Sequence, residues 1–185
     1  NLEKDSQKKV WSNSFDESLK KLRHDAIEGL LIHSPKNLDK SQKFLLLEWL
    51  SEIKEKKKVK KIGLSIYEEN DINDFDLNIL DIIQLPFSIY DNRLLKNGFL
   101  SLINAKGIEI HSRSIFLQGL ILNDISKWPK WIPYEEMILH KEFFDLINSY
   151  DFSHLEVALA FVYNSPFISK MVVGVSSFKE FNEIL

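Results

Sequence analysis

Five short apolar runs, at residues 29–33, 61–66, 82–86, 108–112 and 171–175, alternate with stretches of helical character, and no hairpin signal joins one run to the next. Strands connected through helices run parallel, because a parallel pair needs a long crossover connection. The pattern predicts an α/β fold built on a parallel sheet. Such strands are apolar throughout because helices cover the sheet.

The intervening segments carry their own punctuation. Ser14-Phe15-Asp16-Glu17 has the form of a capping box and predicts a helix from Ser14 to about Arg23. Residues 1–13 then read as a polar N-terminal segment of a single domain, 1–185. Over residues 40–56, Phe44, Leu47, Leu50 and Ile53 recur at helical spacing. A short helix is expected near residues 70–75 and a longer one over 93–104, before Lys106-Gly107 leads into the fourth strand. The stretch 123–151 is polar and aromatic, with one helix after Trp128-Pro129-Lys130-Trp131-Ile132-Pro133. Helices over 152–164 and from Ser177 onward complete the chain.

The first run ends His33-Ser34-Pro35. Proline stops the strand, so His33 stands at its carboxyl end, where repeated strand-helix folds place their chemistry. A lone histidine in an apolar run also reads as a packed core residue, and sequence alone leaves both readings open. Composition narrows the classes further. A net charge of −3 gives no electrostatic case for nucleic acid or an anionic membrane surface. The basic run from Lys54 to Lys61 reads as the solvated end of a helix. There is no cysteine, hence no disulfide and no thiolate metal site, and the five histidines show no close ligand pairing, so no metal is expected. With six glycines the chain has no GxGxxG fingerprint. Residues 1–9 hold no apolar signal core and no run is long enough to span a bilayer, so a cytoplasmic location is expected.

Taken together, the segments resemble the aldo/keto reductase family. Ser18-Leu19-Lys20-Lys21-Leu22 followed by Ala26–His33 is similar to the family's SLKRL…YIDLxLIH segment, and Lys58–Tyr67 resembles GKVRxIGVSNF. Asp81–Phe87 resembles the strand that ends in glutamine, Gly107–Leu120 resembles GIxVxAYSPLxxGLL, and Val172–Ser177 resembles IPGASS. The five segments keep the family's order and spacing from about Ser14 to Leu185.

The resemblance implies a (β/α)8 barrel of which this chain supplies about five βα units, strands four to eight. It implies NAD(P)H-dependent reduction of a small aldehyde or ketone. His33 then matches the histidine that binds the substrate carbonyl. Ser65 and Gln84 match contacts to the nicotinamide carboxamide, and Arg113 stands at the position that stacks on the nicotinamide; Ser114 and Phe116 match the loop that cradles the pyrophosphate, and Gly174, Ser176 and Glu180 the adenosine end. NADP is the family's usual cofactor. Three positions depart from the pattern: Ile66 replaces an asparagine, Arg113 an aromatic that stacks on nicotinamide, and Glu180 an arginine or glutamine. A carboxylate at position 180 repels a 2′-phosphate and leaves NAD open.

The family's proton-donating tyrosine, with its lysine and aspartate, comes from the first three strands. No residue here matches them; Tyr67 and Tyr90 do not, and Lys4, Lys8 and Lys9 lie in the polar segment. A full barrel takes about 250 residues. The expectations are therefore a piece of a longer enzyme, a partial barrel completed by another chain, or a non-catalytic dinucleotide-binding partner subunit. The 185 residues alone are expected to be inactive. Their unpaired outer strands should favour dimerisation or poor solubility.

Overall fold

Each apolar run becomes a strand, and each strand pairs with the next in sequence. The computed structural model describes residues 2–185 and orders β1 (Ile27–His33), β2 (Val59–Ser65), β3 (Ile82–Pro86), β4 (Glu109–Arg113) and β5 (Lys170–Met171) consecutively across one sheet. The β1–β2, β2–β3 and β4–β5 ladders are parallel. Between β3 and β4 the main chain bonds at both ends, Glu109 N–H to the Asp81 carbonyl at 2.9 Å and Phe87 N–H to the Arg113 carbonyl at 3.2 Å. The helices are α1 (Leu2–Leu22), α2 (Lys40–Glu55), α3 (Arg93–Lys96), α4 (Phe99–Ala105), α5 (Tyr134–Asn148), α6 (His154–Tyr163) and α7 (Phe178–Ile184). None of the described helices is long and apolar enough to cross a membrane. The chain divides into two compact units. The first holds the chain through Leu85 with Gly98–Ile110, the second Pro86–Asn97 with His111–Leu185.

In the first unit, Asp39 starts α2 through a reciprocal capping box: Gln42 N–H donates to the Asp39 carboxylate at 2.9 Å, and Asp39 N–H donates to the Gln42 side chain at 3.0 Å. The buried side of α2 holds Leu45, Leu47, Trp49, Leu50 and Ile53. Phe44, expected among them, is 66% exposed. The three-residue step drifts around a helix, and α2 is claimed by β2 and α1 together, so Trp49 and Leu45 are buried instead.

The N-terminal expectation needs the larger correction. The sequence predicts a polar segment over 1–13 with the helix opening at Ser14, but α1 runs from Leu2 straight through Ser14. Contacts with α2 explain the extension. The rings of Trp11 and Phe15 lie 5.8 and 6.1 Å from that of Trp49, whose indole N–H donates to Ser12 at 2.9 Å. Lys8 pairs with Glu52 at 2.6 Å. Tertiary packing supplies what a short isolated helix lacks.

Two backbone features set the sheet. A Cβ on Gly63 would stand 2.0 Å from the Ile82 carbonyl oxygen and 2.8 Å from Leu31 Cδ2, so only glycine lets β2 and β3 approach here. At the same end of β3, Asp81 ties three strands together. Its carboxylate accepts from Ile62 N–H at 2.8 Å and from Lys54 at 2.6 Å, and its carbonyl accepts from Glu109.

The expected helix over 93–104 is interrupted. Gly98, at φ +83°, separates α3 from α4. The last strand is also shorter than its apolar run: 171–175 was expected, and only Lys170–Met171 forms β5, with Val172 N–H adding one bond to Ser112. The partner runs out, because β4 ends at Arg113 and Ser114 turns away at φ +58°.

Candidate active site

Residues paired in register across a parallel sheet share a face. His33 is in register with Ser65, and Ser65 with Gln84, so three of the expected site residues form one row near the carboxyl ends of β1, β2 and β3. The Ser65 hydroxyl is buried and donates to the Gln84 side-chain oxygen at 3.3 Å. This leaves the Gln84 amide nitrogen as a donor beside it. His33 is exposed, and the Ser34 hydroxyl lies 3.1 Å from its Nδ1. Ser34 is held in the left-handed region at φ +53°, ahead of the buried Pro35, which ends the strand at His33. The Nε2 atom of His33 has no hydrogen-bond partner among the described residues. The packed-core reading of His33 is not what the structure has. Ile66, where the family pattern has asparagine, is wholly buried and adds nothing polar to this row.

A second group assembles in the other unit. Ser114, Phe116, Gly174, Ser176 and Glu180 line one cavity of about 800 Å³. The chain curls around it because Ser114, Leu117, Gln118 and Gly119 all take left-handed backbone angles. On the other wall, the Glu180 carboxylate accepts from Ser176 N–H at 2.6 Å and from the Ser176 hydroxyl at 2.9 Å. These hydrogen bonds hold its carboxyl below the usual glutamate range. Arg113 does not line the cavity; its guanidinium donates to the Ser114 hydroxyl at 3.3 Å. Gly174 faces open space, so no steric demand selects glycine there.

Sequence reasoning missed the supports of this cavity. His154 and Glu183 also line it. The loop is tied from behind: the Asn123 side-chain amide donates to the Gly119 carbonyl at 2.7 Å, and His140 Nε2 donates to the Asn123 carbonyl at 2.8 Å. His140 is buried, stacked 4.3 Å from the Trp128 ring. The only hint in the sequence was a histidine inside an amphipathic helix, which by itself names no partner. Among the described residues, no group of three His, Asp or Glu side chains is placed to hold a metal ion.

Comparison with known proteins agrees with this layout. The sequence model of the aldo/keto reductase family matches residues 2–185. An aldo-keto reductase from Bacillus halodurans superposes with a TM-score of 0.80 in its apo form, at 22% identity, over 96% of this chain and 61% of that one. Its holo form gives 0.78 at 21% identity, over 96% and 60%. A glycerol dehydrogenase from Gluconobacter oxydans gives 0.70 at 19% identity, over 93% and 61%. This chain thus spans about three fifths of the structures it matches. No curated protein matches the sequence. At these identities the structures speak to the fold, which is that of a partial (β/α)8 barrel. Since the family's sequence pattern runs from residue 2 to the last, on the parallel strand order its fold requires, the chain belongs to the aldo/keto reductase family.

Proposed function

We propose that the whole protein reduces an aldehyde or ketone with a nicotinamide dinucleotide, and that this chain supplies strands four to eight of its barrel. The observation that carries the reading is the in-register row His33–Ser65–Gln84. Of the three, Ser65 is buried and bonded to Gln84, and burying such a group is costly unless it is bonded. Ser65 and Gln84 offer a hydroxyl and an amide side by side, which suits a primary carboxamide and fixes which ring face meets the substrate. When bound, the dinucleotide supplies the hydride. The task of His33 is to donate from Nε2 to the carbonyl oxygen and orient it, with Nδ1 held by Ser34. Arg113 is assigned to the position that stacks on the nicotinamide, Ser114 and Phe116 to the pyrophosphate, and Gly174, Ser176 and Glu180 to the adenosine. A cavity of about 800 Å³ is of the right size for a nucleotide moiety.

The test is twofold. Titration of the natural full-length protein with reduced nicotinamide dinucleotides, followed by nicotinamide fluorescence, should show saturable binding. A panel of aldehydes and ketones should then oxidise the cofactor. Failure to bind either dinucleotide sinks the proposal. Binding with no turnover on any carbonyl favours the partner-subunit reading.

A further inference from the structure

One helix of the second unit carries more apolar surface than its packing uses. Apart from His154 and Glu156, α6 is aliphatic or aromatic along its ten residues, yet only Ala158 and Val162 are buried. A surface helix shows water a polar face, whereas a helix apolar all round is buried in a larger body. The face left over lines a groove of about 680 Å³, with Val157, Ala160 and Phe161 from α6 between walls of Phe87, Leu95 and Phe152. Phe152 is 62% exposed and Leu95 37%. Polar groups stand at the two ends of this stretch of α6. At one end the Glu156 carboxylate takes both Ser153 bonds on Oε2, at 2.7 and 2.8 Å, and its Oε1 has no hydrogen-bond partner among the described residues. Those bonds hold its carboxyl below the usual glutamate range. At the other end the Ser165 hydroxyl is buried with no partner among the described residues, a costly arrangement. Asn164 beside it donates to the Ala160 carbonyl at 2.8 Å. On α3, which carries Leu95, Arg93 turns to Asp91 at 3.7 Å and Lys96 is exposed.

We infer that this groove is the contact between two copies of this protein, with α6 of one lying antiparallel on α6 of the other about a two-fold axis at Ala160–Phe161. A two-fold contact is self-complementary: where residue i meets j, j also meets i. Glu156 and Ser165 are the two ends of the stretch, and Ala160 and Phe161 are its midpoint. Turning a second α6 end for end therefore sets each Ser165 opposite the partner's Glu156. An ionised carboxylate only accepts hydrogen bonds and a hydroxyl can donate one. A rotation of Ser165 about χ1 then gives the orphan hydroxyl an acceptor, twice over in the pair. Ala160, small and exposed, sits at the crossing and lets the two helix axes approach to about 8 Å. Val157 and Phe161 leave water together with the walls of the facing groove. A different protein would need its own acceptor and donor at this spacing; a second copy has both by symmetry.

The 185 residues hold no cysteine, so single cysteines placed on α6 report the register directly. In the natural full-length protein under mild oxidation, Ala160→Cys should give a disulfide-linked dimer, because Cα atoms at the crossing fall within the roughly 4.4–6.8 Å that a disulfide spans. Glu156→Cys and Ser165→Cys should link when the two variants are mixed and not when each is alone, with the unsubstituted protein oxidised alongside as the reference. Sedimentation of the wild type should show a dimer that dissociates on dilution. Ala160→Glu, at an exposed position and with its melting temperature unchanged, should weaken association at least about tenfold by burying an unpaired charge. A wild type that is monomeric at every concentration overturns the inference, the groove then belonging to another segment or another partner. A dimer that Ala160→Glu leaves intact and Ala160→Cys does not link also overturns it, and places the contact elsewhere, as at the outer strands. Linking by Glu156→Cys alone as strong as in the mixture overturns the antiparallel register.

Discussion

The hydroxyl of Tyr90 donates a 2.6 Å hydrogen bond to Nδ1 of His140, fifty residues further along the chain. The Asn123 carbonyl can only accept, so Nε2 of His140 carries the proton and Nδ1 receives the Tyr90 hydroxyl. This arrangement is that of the neutral imidazole. Burial pushes the Tyr90 phenol up to about 12. Burial likewise lowers the His140 imidazole from its usual 6.5, reinforced by nearby His154 and opposed by the Asn123 carbonyl and Asp124.

Acid should therefore destabilise the second unit. The unfolded chain protonates this histidine near 6.5 and the folded chain does so only at lower pH, so folding stability falls as pH drops through that window. Melting temperatures measured from about pH 7 down to about pH 5 should decline more steeply for the wild type than for His140→Phe, which cannot titrate there. Parallel curves would show that this site does not couple to folding. Tyr90→Phe should cost about 1–2 kcal/mol at neutral pH, read by denaturant unfolding, because it leaves Nδ1 buried without a donor.

Two glycine-to-alanine changes should differ in cost for separate reasons. Gly63→Ala drives a methyl into the Ile82 carbonyl and should lose roughly 3 kcal/mol or more, enough to lower soluble yield. Gly98→Ala meets nothing within 4 Å and should lose only about 1 kcal/mol, from its φ of +83°. Similar losses would mean that the β2–β3 approach relaxes more easily than a packed sheet should.

Identical capping signatures should behave differently. Ser153 caps α6, accepting from Glu156 N–H at 3.2 Å, while the Glu156 carboxylate accepts from Ser153 N–H at 2.7 Å. Ser153→Ala should cost about 1 kcal/mol. Ser14 lies inside α1, and Ser14→Ala should be neutral or gain a few tenths of a kcal/mol, ~0.5 at most, through helix propensity. Thermal unfolding of the two variants decides the matter.

The row at the strand ends should divide its labour. In the natural full-length protein, His33→Ala should lower turnover about a hundredfold while changing dinucleotide affinity little. Ser65→Ala and Gln84→Ala should weaken dinucleotide binding several-fold, since each removes one bond to the carboxamide. Steady-state kinetics paired with fluorescence titration separates the two effects. Equal loss of both by His33→Ala would return that residue to a packing role.

The local patterns in the chain were enough for much of this. The strand runs were legible because a buried parallel strand must be apolar along its length, and α2 was legible because Leu47, Leu50 and Ile53 recur at helical spacing. His33, Ser65 and Gln84 could be singled out because polar residues near the ends of apolar strands are few and the family's motifs repeat them.

Which residues meet was decided by the tertiary structure. The same Ser-x-x-Glu signature caps a helix at Ser153 and is overrun at Ser14, because Trp11 and Phe15 find Trp49 across the unit and reward a longer α1. The run at 171–175 stops pairing at Val172 because β4 has turned away at Ser114, which no pattern within the run could reveal. Tyr90, Asn123 and His140 form one hydrogen-bonded line although no pattern in the sequence links them. Propensity and periodicity are properties of neighbours in sequence, so they fixed the strands and most of the helices. Partnership between distant side chains depends on where the chain folds back upon itself, and that is settled only when the whole unit packs.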